Sequence, residues 1–428
     1  MTVELINTGS ELLLGRIANS HQQWLGRRFT DLGRPVTRQV TVPDQAADIE
    51  GAVQEALTRA DLVITTGGLG PTGDDVTRER IAHLLGRPLR HHPEIEERIR
   101  RFFESRGRPM PPATRVEALV PEGAQVLFND HGTAPGLAVL LDPNPFRAGG
   151  RPSRLVMLPG PPRELHPMFD LQVAPRLEEW FPSDGEFLTR TFKTTGLGES
   201  LMEERLLAPL TSLVAQGLEV GYCARVGEVD VRFVARGPGS LQRVSDAGAV
   251  LNRVAGEFIF GAGDDTLELV VVRALTERSL TVALAESCTG GHLANRLTNI
   301  PGASAVFRAG YVTYSNESKT SALGVPADLI ARHGAVSEPV ARAMAEGARR
   351  AGSSDFGLSL TGIAGPDGGS DEKPVGTVFI GLAGPDGTEV QRRLNRFDRE
   401  TFKFLSAQQA FDALRRRVLG LPAKPGTP

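Results

Sequence analysis

Asp61-Leu-Val-Ile-Thr65 runs directly into Thr66-Gly67-Gly68-Leu69-Gly70-Pro71-Thr72-Gly73-Asp74-Asp75-Val76-Thr77. The short apolar run reads as a buried strand, and the glycine-rich stretch as a loop on its carboxyl end. Before it, residues 3–6 read as a first strand ending in Asn7-Thr-Gly-Ser-Glu11-Leu-Leu-Leu-Gly15. Residues 20–32 keep helical spacing through Trp24, Leu25 and Phe29 until Gly33 stops them. Residues 35–42 read as a second strand, and 44–60 as a helix with Asp44 as its N-cap. Strand, helix, strand, helix, strand in this order predicts an α/β sheet. Ligands of such sheets bind beyond the carboxyl ends of the strands, where the Thr8 to Glu11 turn and the Gly67 to Asp75 loop both fall. Glycines let backbone approach a phosphate, and adjacent carboxylates hold a hard divalent cation beside it. The same residues also admit a plain turn in which Asp74 or Asp75 caps the next helix.

A second strand-to-helix turn lies far downstream. Leu280-Thr-Val-Ala-Leu284 is an apolar run, Ala285-Glu286-Ser287-Cys288-Thr289-Gly290-Gly291 is the turn, and residues 293–297 have helical spacing. Free N–H groups at such a helix start can hold an anion or an oxyanion, and the turn carries two possible nucleophiles, Ser287 and Cys288. Tyr311-Val-Thr-Tyr314-Ser-Asn-Glu-Ser-Lys319 follows with a phenol and an amine. A lysine partly removed from water loses its charge and serves as a base for a serine hydroxyl. The bland readings stay open beside these: Ser287 as an N-cap, Cys288 as a small buried hydrophobe, Lys319 as a solvated charge. Thr361-Gly362-Ile363-Ala364-Gly365, after an apolar strand at residues 356–360, is another backbone-rich loop suited to a phosphate.

Length and composition bound the rest. A chain of 428 residues divides into two or three domains. With 40% apolar and 23% charged residues it is globular, and a net charge of −3 gives no electrostatic footprint for nucleic acid. The basic clusters at 98–101 and 415–417 read as solvated helix faces. Two cysteines, Cys223 and Cys288, build neither a disulfide framework nor a metal site. His91, His92 and His131 lack a ligand spacing; His131 is a minor candidate for touching substrate. No apolar run reaches the roughly 20 residues of a membrane span, so a cytoplasmic protein is expected.

Four motifs in register carry a resemblance. Ala-Glu-Ser-Cys-Thr-Gly-Gly, Tyr-Val-Thr-Tyr-Ser-Asn-x-x-Lys, His333-Gly-Ala-Val-Ser-Glu-Pro339 and Thr361-Gly-Ile-Ala-Gly-Pro-Asp-Gly-Gly369 closely resemble the C-terminal domain of the competence/damage-inducible protein family, CinA. That domain is similar to nicotinamide mononucleotide deamidases. The resemblance implies Ser287 as nucleophile with Tyr314 and Lys319 as catalytic partners. It implies substrate contacts from Thr289, Gly290, Gly291, Thr361, Gly362, Ile363, Ala364, Gly365 and Arg399, and no cofactor. Thr-Gly-Ser-Glu-Leu-Leu-Leu-Gly, Gly-Gly-Leu-Gly-Pro-Thr-x-Asp-Asp and Leu158-Pro-Gly-Pro-Pro-x-Glu164 resemble the N-terminal domain of the same family, which is similar in fold to molybdopterin-binding domains. In some members this implies a metal-dependent ADP-ribose pyrophosphatase. Its nucleotide site would comprise Thr8, Gly9, Glu11, Gly67, Gly68, Gly70, Thr72, Asp74 and Asp75, with Asp74 and Asp75 on a divalent cation.

The expected architecture is therefore α/β throughout. A molybdopterin-binding-like three-layer α/β/α domain spans 1–170, a small α+β linking domain 187–262 and an α/β deamidase-like domain 265–420. Residues 421–428 form a disordered tail. Small-molecule nucleotides, nicotinamide mononucleotide and ADP-ribose, are the expected partners, with no membrane, no direct nucleic acid, and a homo-oligomer, a dimer, as the assembly. Two other readings stand beside the enzyme: a competence- or DNA-damage-linked regulator, and a molybdopterin-binding module. One departure from the family pattern is a Pro/Gly-rich loop at 142–154, read as a surface extension able to alter access to the site.

Overall fold

The computed structural model describes residues 1–182 and 185–423, in two compact units, 1–189 and 190–428. In the first, a six-stranded sheet runs in the order Arg38–Val42, Val3–Thr8, Leu62–Thr66, Ser153–Leu158, Gly136–Leu141, Gln125–Leu127. The first four strands are parallel and the last two antiparallel to their neighbours. Alternate side chains leave opposite faces of a strand. Val3, Leu5, Leu62 and Ile64 accordingly pack with Leu25, Phe29 and Phe169 on one face. Ile6, Val63, Leu155 and Met157 pack with Ile49, Val53 and Leu57 on the other. Burial on both faces is why the central strands read as continuous apolar runs rather than as alternating ones.

The 142–154 loop is not a free extension. It joins two paired strands, and Asn144, fully buried, donates to Leu57 O (2.8 Å) and Ser153 Oγ (2.9 Å). Arg147 pairs with Asp61 at 2.8 Å. Asp61 precedes the strand Leu62–Thr66, so the loop sits at the amino end of the parallel strands, opposite the Gly67 loop. It is a surface extension, as read, anchored at the end of the sheet away from the Gly67 loop.

In the second unit, residues from Phe187 to Ala262 run strand, helix, strand, strand, helix, strand, and the four strands order as Leu218–Arg225, Glu228–Arg236, Phe187–Thr195, Ile259–Ala262. This is a ferredoxin-like arrangement. The remaining sheet orders Phe307–Val312, Val282–Glu286, Phe356–Gly362, Thr377–Gly384, Gly387–Leu394, with the first three parallel and the last two antiparallel. Val282 and Leu284 face a core with Leu358, Leu360, Phe402 and Phe411, and Ala283 and Ala285 face Val325, Val340 and Met344. Each large apolar side chain so buried contributes about 1.5–3 kcal/mol.

The 415–417 cluster departs from the solvated face expected of it. Arg415 and Arg416 are buried, both bonded to Asp412. Arg415 reaches Ile259 O (3.0 Å) and Arg416 reaches Glu257 O (2.8 Å), so together they tie the last helix to the ferredoxin-like domain. Arg416 also donates to Pro422 O, and Leu421 N–H to Arg416 O, which holds the first residues of the expected disordered tail. Residues 424–428 of that tail lie outside the described residues. Among the described residues, no helix is long and apolar enough to cross a membrane.

Candidate active site

Ser287 lies where three parallel strands end. Its N–H donates to Leu360 O (3.0 Å) from one neighbour, while Thr313 N–H from the other donates to Glu286 O (2.8 Å). This is the carboxyl edge, where open α/β sheets bind ligands. Ser315 caps the helix Asn316–Leu323 through the N–H of Ser318 (3.1 Å), which aims Lys319 back at the turn. Lys319 is 1% exposed, with Nζ 3.1 Å from Ser287 Oγ and 2.8 Å from Thr313 O. Tyr314 O (3.4 Å) and Ser315 O (3.5 Å) lie further out. Burial holds the Lys319 amine below its usual range, because a charge removed from water is disfavoured. Nζ thus donates to Ser287 Oγ and to backbone carbonyls, with Thr313 O the nearest of the three.

Cys288 is the reverse case. It is 6% exposed in the apolar core, and burial pushes its thiol up to about 12. It stays a thiol near neutrality, whereas the thiolate is the nucleophilic form.

Tyr314 stands apart from the expected proton path. Its ring is exposed, and its hydroxyl accepts from Arg399 Nη2 (3.0 Å), not from Ser287 or Lys319. Only the backbone of Tyr314 touches Lys319. Arg399 Nη1 in turn donates to Gly365 O (2.8 Å), so one guanidinium links the Thr361 to Gly365 loop to Tyr314. The simpler pairing of Arg399 with Asp398 does not occur: Asp398 accepts from the N–H groups of Glu400 and Thr401 and caps the helix Arg399–Val418.

The helix start expected to be free is occupied. Glu286, 1% exposed, accepts from Gly291 N–H (3.1 Å), Leu293 N–H (3.0 Å) and Ala294 N–H (2.8 Å). Gly290 N–H closes the turn onto Ser287 O (3.2 Å). Gly290 and Gly291 therefore shape the turn rather than offer donors. Thr289 differs: among the described residues no hydrogen bond engages its N–H, and its buried hydroxyl has no partner. The Thr361 hydroxyl is spent on Ala335 O (2.8 Å) and Ile363 N–H on Thr377 O (2.8 Å). Gly362 pairs with Val378 in the sheet, Ala364 is buried in the apolar core, and Gly365 is buried with its carbonyl taken by Arg399, so none of this loop's candidate residues stands open. Glu286 was missed as a residue of this turn; its signal was a carboxylate one residue before Ser287 and ahead of a helix with no other side-chain cap.

In the N-terminal unit a cleft of about 420 Å³ is lined by Thr8, Gly9, Glu11, Gly67, Gly68, Asp74 and Asp75, joined by His21, Asp44 and Gly160. Gly67 has φ +98°, and a Cβ there would meet Thr8 Oγ1 at 2.8 Å and Thr8 O at 2.9 Å. Only glycine lets the two loops close up. Gly70 and Thr72 do not line the cleft. Gly70 packs on the Asp75 carboxylate, and the Thr72 hydroxyl lies between Asp74 and Asp75, 2.6 Å from Asp75 Oδ2. The bond from the Thr72 hydroxyl to Asp74 Oδ1 holds the exposed Asp74 carboxyl below its usual range. Neither aspartate caps the helix Thr77–Leu84. Asp44 does not cap its helix either; it accepts from Ser10 N–H (2.8 Å) and fixes the Glu11 turn. His131 is exposed and His91 pairs with Glu96 at 2.6 Å, so neither joins the cleft.

Among the described residues no group of three or more His, Cys, Asp or Glu forms a metal cage. Asp74 and Asp75 with the Glu11 carboxylate offer hard oxygen donors on one cleft. They suit a cation that keeps its waters and shares one or two carboxylates with substrate phosphates, as magnesium-type ions do.

A cleft at the carboxyl edge of one α/β sheet and the Ser287–Lys319 pair at that of another, with a ferredoxin-like domain in the same chain, define a multidomain α/β protein with two candidate sites. Residues 4–179 match the family model described as "Probable molybdopterin binding domain", 189–261 the damage-inducible protein CinA KH domain, and 264–418 the CinA C-terminal domain. The chain is 45% identical over 413 residues to a CinA-like protein of Akkermansia muciniphila, covering 96% of each, and 44% identical over 418 residues to one of Anaeromyxobacter sp., covering 96% of this chain and 98% of that one. It belongs to the CinA family. Among solved structures, a competence/damage inducible protein from Agrobacterium tumefaciens is 39% identical, covering 35% of this chain and 91% of that one, with a TM-score of 0.33. Another, from Klebsiella pneumoniae, is 36% identical, covering 36% of this chain and 95% of that one, at 0.35. The segment matched to the KH model contains no Gly-x-x-Gly sequence, the loop with which KH modules clamp nucleic acid.

Proposed function

We propose that the C-terminal domain hydrolyses the carboxamide of nicotinamide mononucleotide to nicotinate mononucleotide and ammonia. The observation that carries this reading is the 3.1 Å approach of Ser287 Oγ to the buried amine of Lys319. Lys319 takes the serine proton as Oγ attacks the carboxamide carbon. The oxyanion of the tetrahedral intermediate is met by the unengaged N–H of Thr289, a kind of donor worth about 3 kcal/mol in acyl-transfer sites. Lys319 returns its proton to the nitrogen, ammonia leaves, and a serine ester of nicotinate mononucleotide remains. Water then attacks the ester with Lys319 again as base, which frees the acid and restores Ser287. Arg399, bonded to the Tyr314 hydroxyl and to Gly365 O, braces two sides of the site and faces an anionic substrate. The test is ammonia release by wild type, Ser287→Ala and Lys319→Ala, with and without chelator. Wild-type release that survives both substitutions would overturn the assignment.

The N-terminal cleft favours a second reading, a divalent-cation-dependent ADP-ribose pyrophosphatase. Asp74 and Asp75, with Glu11 across the cleft, would hold the cation; when bound, it neutralises charge on the pyrophosphate. The chain's own part is to bring backbone at Gly67 and Gly68 against the phosphates and to orient the carboxylates through Thr72. Full-length protein that fails to cleave ADP-ribose with magnesium, manganese or cobalt would rule this out. Loss of cleavage in Asp74→Ala and Asp75→Ala proteins is the expected result.

A further inference from the structure

We infer that Lys403 is a second cation of the C-terminal site, acting with Arg399 to select ligands that carry a phosphate over the same nucleosides without it. Identifying the ligand as a pyridine mononucleotide rests on the deamidase reading above; the placement of the two cations does not.

Arg399 and Lys403 are one turn apart at the start of the helix Arg399–Val418, so they share a face. Arg399 reaches Gly365 and Tyr314 as described. Lys403 Nζ lies 3.9 Å from where a Cβ on Gly290 would stand, which puts the ammonium over the Ser287 turn. Among the described residues neither side chain forms an ion pair, although Arg296 nearby is paired with Glu268. Cations in the first turns of a helix oppose its dipole, so stability gives no reason for two of them there. The field of Lys403 reaches His292, whose imidazole is held below its usual range by burial first and then by Arg296 and Lys403.

The usual alternative for an anion, the helix start after Gly291, is closed. Glu286 takes its donors and sets a carboxyl group in their place, which repels a phosphate. An anionic group entering the site is left with Arg399 and Lys403. A guanidinium and an ammonium on one helix face suit a phosphate, the first through its planar fork and the second as a point charge.

The experiment measures binding without turnover. Nicotinamide mononucleotide and nicotinamide riboside are titrated calorimetrically into full-length Ser287→Ala protein, and into the same protein carrying Lys403→Met or Lys403→Arg. The expected result is a preference for the mononucleotide of about tenfold or more, reduced by salt, largely lost with methionine and recovered with arginine. Retention of the full preference in the Lys403→Met protein would overturn the inference, as would no preference in the Ser287→Ala parent. Ammonia release by wild type is scored separately. A phosphate preference that depends on Lys403, found beside no ammonia release, would sink the deamidase reading and leave the cation pair standing. A normal thermal transition for Lys403→Met excludes misfolding as the cause of a lost preference.

Discussion

On the deamidase reading, Ser287 and Lys319 carry the chemistry at the scale of single residues. Burial lowers the Lys319 pKa, so the neutral amine, the base in that reading, gains population as pH rises. Ammonia release from nicotinamide mononucleotide should therefore climb with pH through a limb below about 10.4, the ordinary lysine value. A flat profile would argue against an amine base. The linkage has the same sign: the unfolded chain binds the Lys319 proton more tightly, so this group's contribution to stability also rises with pH across that window. Replacing Ser287 by alanine should cost about 10³-fold or more in rate, while Cys288→Ala should stay within a few-fold. Comparable losses in both would return Cys288 to candidacy, against its buried, protonated thiol. The Ser287 turn was legible because a buried strand, a small-residue turn and a helix follow one another in a few residues. The direction of the Tyr314 hydroxyl was not, since it is set by Arg399, 85 positions away.

At the scale of elements, Glu286 couples the Val282–Glu286 strand to the His292–Thr298 helix. Glu286→Ala strips a buried carboxyl from three N–H groups and should destabilise the C-terminal domain by about 1–3 kcal/mol. Denaturant unfolding followed beside ammonia release checks this, and an unchanged midpoint would contradict it. Gly67→Ala tests the other site. Its new methyl meets Thr8 at 2.8–2.9 Å with φ at +98°, so the N-terminal domain should lose about 1 kcal/mol or more, and nucleotide binding in that cleft should fall. Central strands could be read as continuous apolar runs, because they are buried on both faces, and helices from their apolar spacing. Caps and loop anchors could not. Asp44 reads as a helix cap by position yet serves Ser10, a partner distant in sequence that outcompetes the local preference. The Pro/Gly-rich 142–154 loop reads as surface yet buries Asn144, which keeps its local bond from Phe146 N–H and adds a distant one to Leu57 O.

For the whole molecule, the order of motifs along the chain carried most of the information, since each α/β sheet puts its site at strand ends that sequence alone can locate. The ties between the ferredoxin-like domain and the last helix were hidden. Arg415 and Arg416 look like solvated charges, and only the fold reveals Asp412, Ile259 and Glu257 around them. Two candidate sites with separate residue sets should fail separately. Ser287→Ala should abolish ammonia release and spare ADP-ribose cleavage, and Asp74→Ala should do the opposite; loss of both activities in either protein would contradict independent sites. The most direct measurement is ammonia release from nicotinamide mononucleotide by the full-length protein and its Ser287→Ala and Lys319→Ala variants, with and without a chelator. The account predicts release by wild type that is indifferent to chelation and absent from both variants. No release from folded wild type, or release that persists without Lys319, would contradict it.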